Sequence, residues 1–443
     1  MTSKSLILSS IFFSFAASSS AQLQFSGVLL PAITETPPAS TGLNTVYVLP
    51  YVDGVTATFT VDSPSTKVEW QRFSALGGGY AETAPSTQSG TVSTLSKLEG
   101  DMGYIISAGS ETLFIWVVDY SAHPFWVADL TLAADTDCAT TWLSVDGQGA
   151  PIPYYSINGV QQTLSRDLTL TYSNLEFNTT TFAYEQVTGT ETLTGFSNEL
   201  IHCSPHLCET NFTLSGDRFQ RVWGEEQSFT SPIYPPVAVA AETSALQTER
   251  EVDNEQKVET TIGGSGPVEV TFSAAVTDAA VFHQWQLSGD SEFNLLTLQY
   301  SDLEFTYTFR EQGTTYVRFV CANDVGECEY QGETYEVFIG ESDLQCPNAF
   351  SPGTSEGTND EWRVSYKSII EFECHIFDRR GRQLAHLTDP SQGWNGKIGG
   401  KAVPAGVYFY VIKAKGSDGK KYNLSGDINV VGFKRSSTSQ TVD

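Results

Sequence analysis

Two short stretches of the chain carry residue types that do chemistry in other proteins. Residues 353–357, Gly-Thr-Ser-Glu-Gly, match the G-x-S-x-G string that presents the nucleophilic serine of α/β-hydrolases. That chemistry needs a strand, a sharp turn and a helix around Ser355, followed by a histidine and an acid. His375 and His386 do follow, but the string lies in a loop of a region that reads as all-β and lacks the helix. We therefore expect no catalysis at Ser355.

The second stretch, residues 202–208, reads His-Cys-Ser-Pro-His-Leu-Cys and offers four ligands that zinc accepts. Four ligands in one short loop are geometrically awkward to place around a tetrahedral ion. The N-terminus of this chain predicts export, and the cysteines of exported chains commonly form disulfides. We therefore favour a disulfide between Cys203 and Cys208, or between one of them and Cys138, over a metal site. No metal and no cofactor is predicted.

Four further cysteines make up the total of seven. Cys321 and Cys328 flank a turn sequence, so they are expected to face each other across a hairpin. Cys346 and Cys374 are the remaining candidate pair. An odd number leaves at least one cysteine unpaired within the monomer.

Acidic residues are abundant, and some of them must lie near each other by chance. Asp101, Asp119, Glu225 and Glu226 are conceivable as an acid/base pair for glycoside cleavage, but nothing in the sequence selects them over the other acids. The chain has no H-E-x-x-H, phosphate-binding loop, dinucleotide fingerprint or strict EF-hand loop. No catalytic residue is predicted, and the protein is expected not to be an enzyme.

The charge of the chain is strongly acidic and unevenly spread. Its 443 residues include 24 Lys/Arg and 52 Asp/Glu, for a net charge of −28. Residues 1–343 carry a net −31, whereas residues 344–435 carry a net +4. The acidic part repels phosphate backbones, so no nucleic-acid partner is expected. The change of sign indicates separate modules.

The N-terminus predicts export. Lys4 gives a positive start, an apolar run extends from Leu6 to Ala17, and small residues precede Gln22. This pattern is typical of a signal peptide, here at 1–21. The apolar run is shorter than the ~20 residues that cross a bilayer, and no other segment reaches that length. No transmembrane span is expected in the mature chain.

Short alternating apolar and polar runs, separated by turn residues, fill most of the chain. They predict an all-β fold of tandem antiparallel β-sandwich modules. Trp70 is followed 34 residues later by Tyr104, and Trp285 is followed 31 residues later by Tyr316. A strand tryptophan and a tyrosine opening a late strand resemble immunoglobulin-like or polycystic-kidney-disease-type (PKD) sandwiches. Core packing accounts for these aromatics better than ligand stacking does.

The predicted boundaries follow from these patterns. The middle of the chain is less legible: Thr188–Thr192 suggests a turn and Phe212–Phe219 a hairpin. The acidic stretch before the third module predicts a solvated linker. The predicted segments are a signal peptide at 1–21, an immunoglobulin-like sandwich at 22–135, a β-rich module at 136–234, an acidic linker at 235–264, a PKD- or immunoglobulin-like sandwich at 265–343, a C-terminal domain at 344–432 and a disordered tail at 433–443.

The C-terminal domain carries the most specific motifs. A strand is predicted at 370–377, with Phe372 and Cys374 on one face and Glu373 on the other. Asp418-Gly419 is a preferred two-residue hairpin turn. The spaced motif positions, read off the sequence, are Asn348, Phe350, Pro352, Asn359, Asp360, Gly381, Trp394, Gly396, Pro404, Gly406 and Tyr408.

The order of these motifs resembles the gliding-motility-associated C-terminal domain, a type B sorting signal of type IX secretion systems in Bacteroidetes. The family's Asn-Gly-Asp-Gly loop is replaced here by residues 353–357, and the aromatic before the hairpin glycine by Arg380. The resemblance implies delivery through the periplasm to the outer-membrane surface or the medium, with the translocon as a partner. It implies nothing about the first three modules.

We therefore expect a secreted or surface protein with non-enzymatic binding or spacer modules and an unknown extracellular ligand. One alternative is a secreted carbohydrate-binding protein or glycan hydrolase acting through residues 136–240, which hold Trp142, Trp223 and Tyr154-Tyr155. Another alternative is a structural subunit of a surface or gliding apparatus.

Overall fold

A computed structural model describes residues 23–197, 199–353 and 359–432 of the chain. The signal peptide at 1–21, most of the G-x-S-x-G string and the tail at 433–443 lie outside this range. The chain divides into two compact units. The first comprises residues up to 174 with 188–205 and 209–234, and the second comprises 175–187, 206–208 and 235 onward. No helix in the described ranges is long and apolar enough to cross a membrane.

The first module is a sandwich of two sheets. One has the strand order β1-β4-β8-β7 and the other the order β2-β3-β10-β9-β5-β6. Neighbours are antiparallel except β3 and β10, which are parallel. The strands are β1 Leu23–Ser26, β2 Ile33–Glu35, β3 Thr45–Leu49, β4 Thr56–Thr60, β5 Val68–Phe73, β6 Glu82–Thr83, β7 Ser86–Ser89, β8 Val92–Leu95, β9 Met102–Ala108 and β10 Glu111–Asp119.

The core between these sheets contains both predicted landmarks. Trp70 is 2% exposed and donates its indole N–H to Ser93 Oγ at 3.0 Å. Tyr104 is 1% exposed, and its hydroxyl donates to the carbonyl of Glu99 at 3.0 Å. A tyrosine that bonds back to the backbone a few residues upstream is a hallmark of immunoglobulin-type sandwiches. The immunoglobulin-like fold is thus confirmed for this module.

The second module adds two sheets and a short hairpin. The sheets have the orders β11-β12-β17 and β16-β15-β18-β19, and β13 pairs with β14. The elements are β11 Trp126–Leu132, β12 Thr141–Gln148, β13 Ile152–Tyr155, β14 Gln161–Leu164, β15 Leu168–Asn178, β16 Ala183–Leu193, β17 Leu200–Cys203, β18 Phe212–Gly216, the helix α1 Arg218–Trp223 and β19 Gln227–Thr230.

Two local predictions in this module are wrong. Thr188–Thr192 lies within β16 and is not a turn, because β16 continues through it beside β15. Residues 212–219 are not a hairpin, since β18 ends at Gly216 and α1 follows. The helix begins there because the Asp217 side chain accepts hydrogen bonds from the N–H groups of Phe219 and Gln220.

The two modules of the first unit share a second core. Phe73 and Trp116, on the face of the six-stranded sheet that points away from its own sandwich, are 1% exposed. They pack in one cluster with Ile152 from β13 and Phe219 from α1. Part of the outer face of this sheet is therefore buried as well, which joins the two modules through a common core.

The third module repeats the plan of the first. Its sheets have the orders β20-β22-β25 and β21-β28-β26-β23-β24, with β27 also paired to β26. As in the first module, one pair, β21 and β28, is parallel. The strands are β20 Ala241–Gln247, β21 Ile262–Gly264, β22 Val268–Val276, β23 Phe282–Ser288, β24 Leu296–Tyr300, β25 Glu304–Phe309, β26 Gly313–Ala322, β27 Glu329–Gln331 and β28 Tyr335–Ile339.

Two predictions for this region need correction. The solvated linker predicted at 235–264 contains β20 and β21, both paired into the sandwich, so the module begins before residue 265. Trp285 is fully buried as predicted, but Tyr316 does not occupy the equivalent of Tyr104. Phe319, three residues further along β26, packs against Trp285 at 5.1 Å between ring centroids.

The C-terminal domain is also built from packed, mainly antiparallel sheets, as the first and third modules are. A five-stranded sheet has the order β30-β37-β36-β32-β33, with β30 and β37 parallel, and β29-β31 and β34-β35 form small sheets. The Asp418-Gly419 turn joins β36 to β37 as predicted. The strands are β29 Asp343–Gln345, β30 Ala349–Phe350, β31 Ser365–Lys367, β32 Ile369–Phe377, β33 Gln383–Leu387, β34 Lys397–Ile398, β35 Lys401–Ala402, β36 Gly406–Gly416 and β37 Lys421–Val430.

Candidate functional site

The aromatic motif residues of the C-terminal domain build its core. Phe350 and Tyr408 pack on the two sides of Trp394, with ring centroids 5.5 and 5.4 Å away. Trp394 exchanges two backbone hydrogen bonds with Trp362, which is fully buried and donates its indole N–H to the Pro347 carbonyl. These residues give the domain its shape, and they are not available as a contact surface.

The remaining motif residues shape the turns and strand ends. Gly381, with φ at 80°, closes the turn between β32 and β33, and Gly396, with φ at 68°, accepts from the Val403 N–H. The Pro404 carbonyl accepts from the Tyr408 hydroxyl at 2.8 Å. Gly406, with φ at 153°, pairs with Val430 at the start of β36.

The start of the domain is closed by the other motif positions. Asn359 has φ at 56° and its carbonyl accepts from the Ser351 N–H at 2.9 Å. Asp360 accepts from the Gly353 N–H at 2.7 Å. The Asn348 carbonyl accepts from the Asn429 N–H on β37, and Pro352 is buried. These contacts bracket the part of residues 353–357 that lies outside the described range.

A segment far upstream also belongs to this domain. Residues 252–256, here called the strap, run beside β31. The Asn254 side chain donates to the carbonyls of Val364 and Pro390 at 2.7 and 2.8 Å. The Gln256 backbone N–H donates to the Tyr366 carbonyl at 2.7 Å. The C-terminal domain predicted at 344–432 is therefore completed by residues about 90 positions earlier.

The hairpin turn between β36 and β37 docks on the end of the third module. Ser342 donates to Asp418 Oδ1 at 2.7 Å and contacts the Tyr422 hydroxyl at 2.8 Å. Ser417 donates its hydroxyl proton to the Gly340 carbonyl at 2.9 Å. Burial raises the pKa of Asp418, but the bonds from Ser342 and the Lys420 N–H outweigh it and hold the pKa below its usual value. The third module and the C-terminal domain thus meet through directional bonds.

The cysteine predictions are wrong in their pairing. Cys138 and Cys328 are the disulfide-bonded cysteines. The other five cysteines, Cys203, Cys208, Cys321, Cys346 and Cys374, are thiols. The expected pairs Cys203–Cys208, Cys321–Cys328 and Cys346–Cys374 are therefore absent. Burial raises the pKa of Cys203 and of Cys374 to about 12, so these thiols are unreactive near neutral pH.

A buried ionic group lies at the junction of the first two modules. Arg166 is 1% exposed and bonds Asp217, which is 0% exposed, at 2.5 Å. Arg166 also donates to the carbonyls of Ala150 and His123, and Asp217 also accepts from the Tyr120 hydroxyl at 3.0 Å. Every one of these partners belongs to the scaffold, so the group has a structural role.

Three of the four acids considered for glycoside cleavage are engaged in local bonds. Asp101 contacts His123 Nε2 at 3.0 Å, and Asp119 accepts from the Ser121 N–H at the start of a 3₁₀ turn. Glu226 pairs with Arg221 at 2.8 Å. The structure gives each of these three carboxylates a separate partner, and Glu225 is exposed. No described contact joins any two of the four acids.

A cluster that the sequence did not single out lies on the outer face of the five-stranded sheet. Glu373, His375 and His386 place one potential ligand atom each within 4.8 Å of the others. In the sequence, His375 and His386 were noted only as histidines that lie C-terminal to Ser355. Their proximity follows from the register of β32 and β33, which sequence spacing does not reveal.

The chain matches two known domain families. Residues 131–231 match the fibronectin type III domain family, which gives the poorly legible second module a fold. Residues 344–430 match the CHU_C Type IX secretion signal domain. No curated protein matches the chain.

Several solved structures also match along much of the chain, at low identity. A tetra-tandem repeat from the extending region of a large adhesion protein is 15% identical, covers 86% of this chain and 96% of its own, and has a TM-score of 0.23. Domains D1–D4 of ICAM-5 are 12% identical and cover 90% and 100%, with a TM-score of 0.22. Three domains of the Hoc capsid protein of bacteriophage RB49 are 10% identical and cover 70% and 100%, also with a TM-score of 0.22.

The family match at 344–430 confirms the motif resemblance at the C-terminus. The packed sheets of the structure and the fibronectin type III match at 131–231 confirm the expectation of tandem immunoglobulin-like sandwiches. The chain carries a CHU_C type IX secretion signal domain at 344–430, behind a fibronectin type III-like domain at 131–231, and is a protein of the kind that type IX systems export.

Proposed function

We propose that the chain is a non-enzymatic protein of the cell surface or the surrounding medium. Its sandwich modules bind a ligand or act as spacers, and its C-terminal domain is read by the translocon. The observation that carries this proposal is the match of residues 344–430 to the signal-domain family. Hydrogen bonds between the third module and this domain add to it. The local bonds of Asp101, Asp119 and Glu226 support a role without catalysis.

The third module is proposed as the spacer. The strap and the Ser342–Asp418 contact hold the signal domain to the module at separate places. Two domains joined by several directional bonds move less than domains joined by a flexible linker. The third module therefore extends from the signal domain as a spacer of fixed geometry.

The first unit offers a surface for binding. Two of its loops are joined by a hydrogen bond from the Gly78 N–H to the Ile157 carbonyl at 2.8 Å. Three apolar side chains stand out from them: Leu76 is 67% exposed, Tyr80 72% and Val160 57%. Exposed apolar groups gathered on neighbouring loops are typical of interaction sites. We call this set the loop patch.

Adhesion of the purified full-length protein to intact cells of its own bacterium tests the binding role. Leu76→Ser combined with Tyr80→Ser is expected to reduce adhesion by at least ~10-fold, because exposed aromatic anchors dominate interface energies. Leu29→Ser is the matched control, since Leu29 is 91% exposed in the same unit but lies outside the loop patch. Equal adhesion of all three proteins contradicts a role for the loop patch.

Carbohydrate binding by residues 136–240 is a second candidate function. Trp142 is half-buried and its ring lies 4.8 Å from that of His202 on an outer sheet face. The other aromatics considered are engaged elsewhere: Trp223 donates to the Pro31 carbonyl and Tyr154 is buried. Binding of the full-length protein on a glycan array, lost in Trp142→Ala, supports this function over the loop patch.

A further inference from the structure

Three ligand-type side chains converge on one point of the signal domain. His375 on β32 and His386 on β33 stand directly opposite each other in the strand pair, and Glu373 lies two residues before His375. Nε2 of His375 is 3.1 Å and Nε2 of His386 is 3.3 Å from the same oxygen, Oε1 of Glu373. The two imidazole rings are nearly parallel, with centroids 4.4 Å apart.

These separations suit ligands of one transition-metal ion. Zinc lies about 2.0–2.1 Å from an imidazole nitrogen and about 2.0–2.2 Å from a carboxylate oxygen. With such bond lengths, the two nitrogen–oxygen separations correspond to ligand–metal–ligand angles of about 97° and about 105°, close to tetrahedral. All three donor atoms lie within 4.8 Å of one another. Because the two rings are stacked, at least one imidazole rotates about its side-chain bonds to aim its nitrogen at a shared ion.

The sheet and a neighbouring pocket determine where the ligands stand. β32 lies between β33 and β36 in the sheet, so two of the three ligands stand on an interior strand. A pocket of about 180 Å³ adjoins them, with Phe377 and Val411 as its apolar wall. Glu373 and His386 are 50% and 40% exposed, so an ion reaches the site from solvent.

One cation opposes the site. Lys413 on β36 is paired in register with Glu373 and lines the same pocket. The ammonium group of Lys413 thus adds a positive charge on the face where the ion would bind. The charge of Lys413 therefore lowers the affinity for a metal ion, and replacing Lys413 by an uncharged residue is expected to raise that affinity.

We propose that Glu373, His375 and His386 form a binding site for Zn²⁺ or a similar borderline transition-metal cation. Two imidazoles and one carboxylate leave a coordination position open to water or to a donor from another protein. The bound ion links edge strand β33 to β32 and stabilises the edge of the signal domain. Mg²⁺ and Ca²⁺ are excluded as occupants, because these hard cations take oxygen ligands.

Titration of the full-length protein with ZnCl₂ by calorimetry tests the site, and Co²⁺ absorption spectra report its ligands. One ion per chain is expected. His386→Ala and His375→Gln are each expected to weaken binding at least ~10-fold, since even partners outside the coordination shell are worth about 10–100-fold. Lys413→Met is expected to tighten it. Circular dichroism establishes that each variant is folded.

His202→Ala is the matched control, because it removes a histidine from the other zinc-type stretch, residues 202–208. Unchanged binding in that variant, with loss in His386→Ala, supports the proposal. Loss in His202→Ala with retention in His386→Ala assigns any zinc to that stretch and overturns it. Absence of binding at millimolar Zn²⁺, or a Lys413→Met variant that binds no more tightly, also overturns it.

Discussion

The buried pair Arg166–Asp217 provides the sharpest test of how the first unit is held together. Asp217 is fully buried and accepts from Arg166, from the Tyr120 hydroxyl and from two backbone N–H groups at the start of α1. Asp217→Ala leaves the Arg166 guanidinium buried without its counter-charge. Breaking a buried ion pair in this way costs about 3–5 kcal/mol.

That loss is measured as a change in thermal unfolding of the full-length protein. For a unit of this size, about 3–5 kcal/mol lowers the corresponding midpoint by about 6–20 °C. Arg166→Met alone is also expected to destabilise the unit, because it strands the Asp217 carboxylate. The double variant is expected to lose less than the two single losses added together, since it removes both buried charges.

Either of two results contradicts this reasoning. One is a loss below about 1 kcal/mol in Asp217→Ala, the value of an exposed pair. The other is strict additivity in the double variant, which means that the two side chains do not interact. Arg221→Ala is the matched control, because Arg221 on α1 forms a more exposed pair with Glu226. The loss of this pair is expected to cost under about 1 kcal/mol.

Three further predictions concern the rest of the chain. Asn254→Ala leaves the carbonyls of Val364 and Pro390 without their donor and is expected to lower the stability of the signal domain by about 1–3 kcal/mol. Faster amide hydrogen exchange in β31 is the expected measurement. Burial lowers the pKa of His206, so the neutral imidazole contributes its full stability above pH ~6.5, and this contribution is lost as the pH falls through the folded-state pKa. Chemical denaturation is therefore expected to show a lower free energy of unfolding at pH 5 than at pH 7.5. His206→Gln is expected to reduce this difference between the two pH values. Thiol titration of the denatured, unreduced chain is expected to give five thiols, and seven contradicts the Cys138 and Cys328 assignment.

Local patterns in the sequence predicted much of the fold. The alternation around Trp70 and in β32 identified real strands, because each faces a core on one side and solvent on the other. The Asp418-Gly419 turn was identifiable because its backbone chemistry is local. The motifs of the signal domain were equally readable, since they form its core and its turns.

Features that depend on distant residues could not be predicted. The strap at 252–256 has an acidic, linker-like composition, and only its bonds to Val364 and Tyr366 reveal its place. The Glu373–His375–His386 cluster depends on the register of two strands, and a shift of one residue separates its members. Disulfide connectivity has many combinations for seven cysteines, and local spacing favoured the wrong pairs.

Delivery by the type IX system is the central claim, and localisation tests it most directly. The measurement is protease accessibility of the full-length protein on intact cells of its own bacterium, with and without a working type IX translocon, beside a form lacking residues 344–443. We predict surface or medium exposure only for the full-length protein in cells with the translocon, and periplasmic retention in the other cases. Exposure of the truncated form, or exposure without the translocon, contradicts the role of the signal domain.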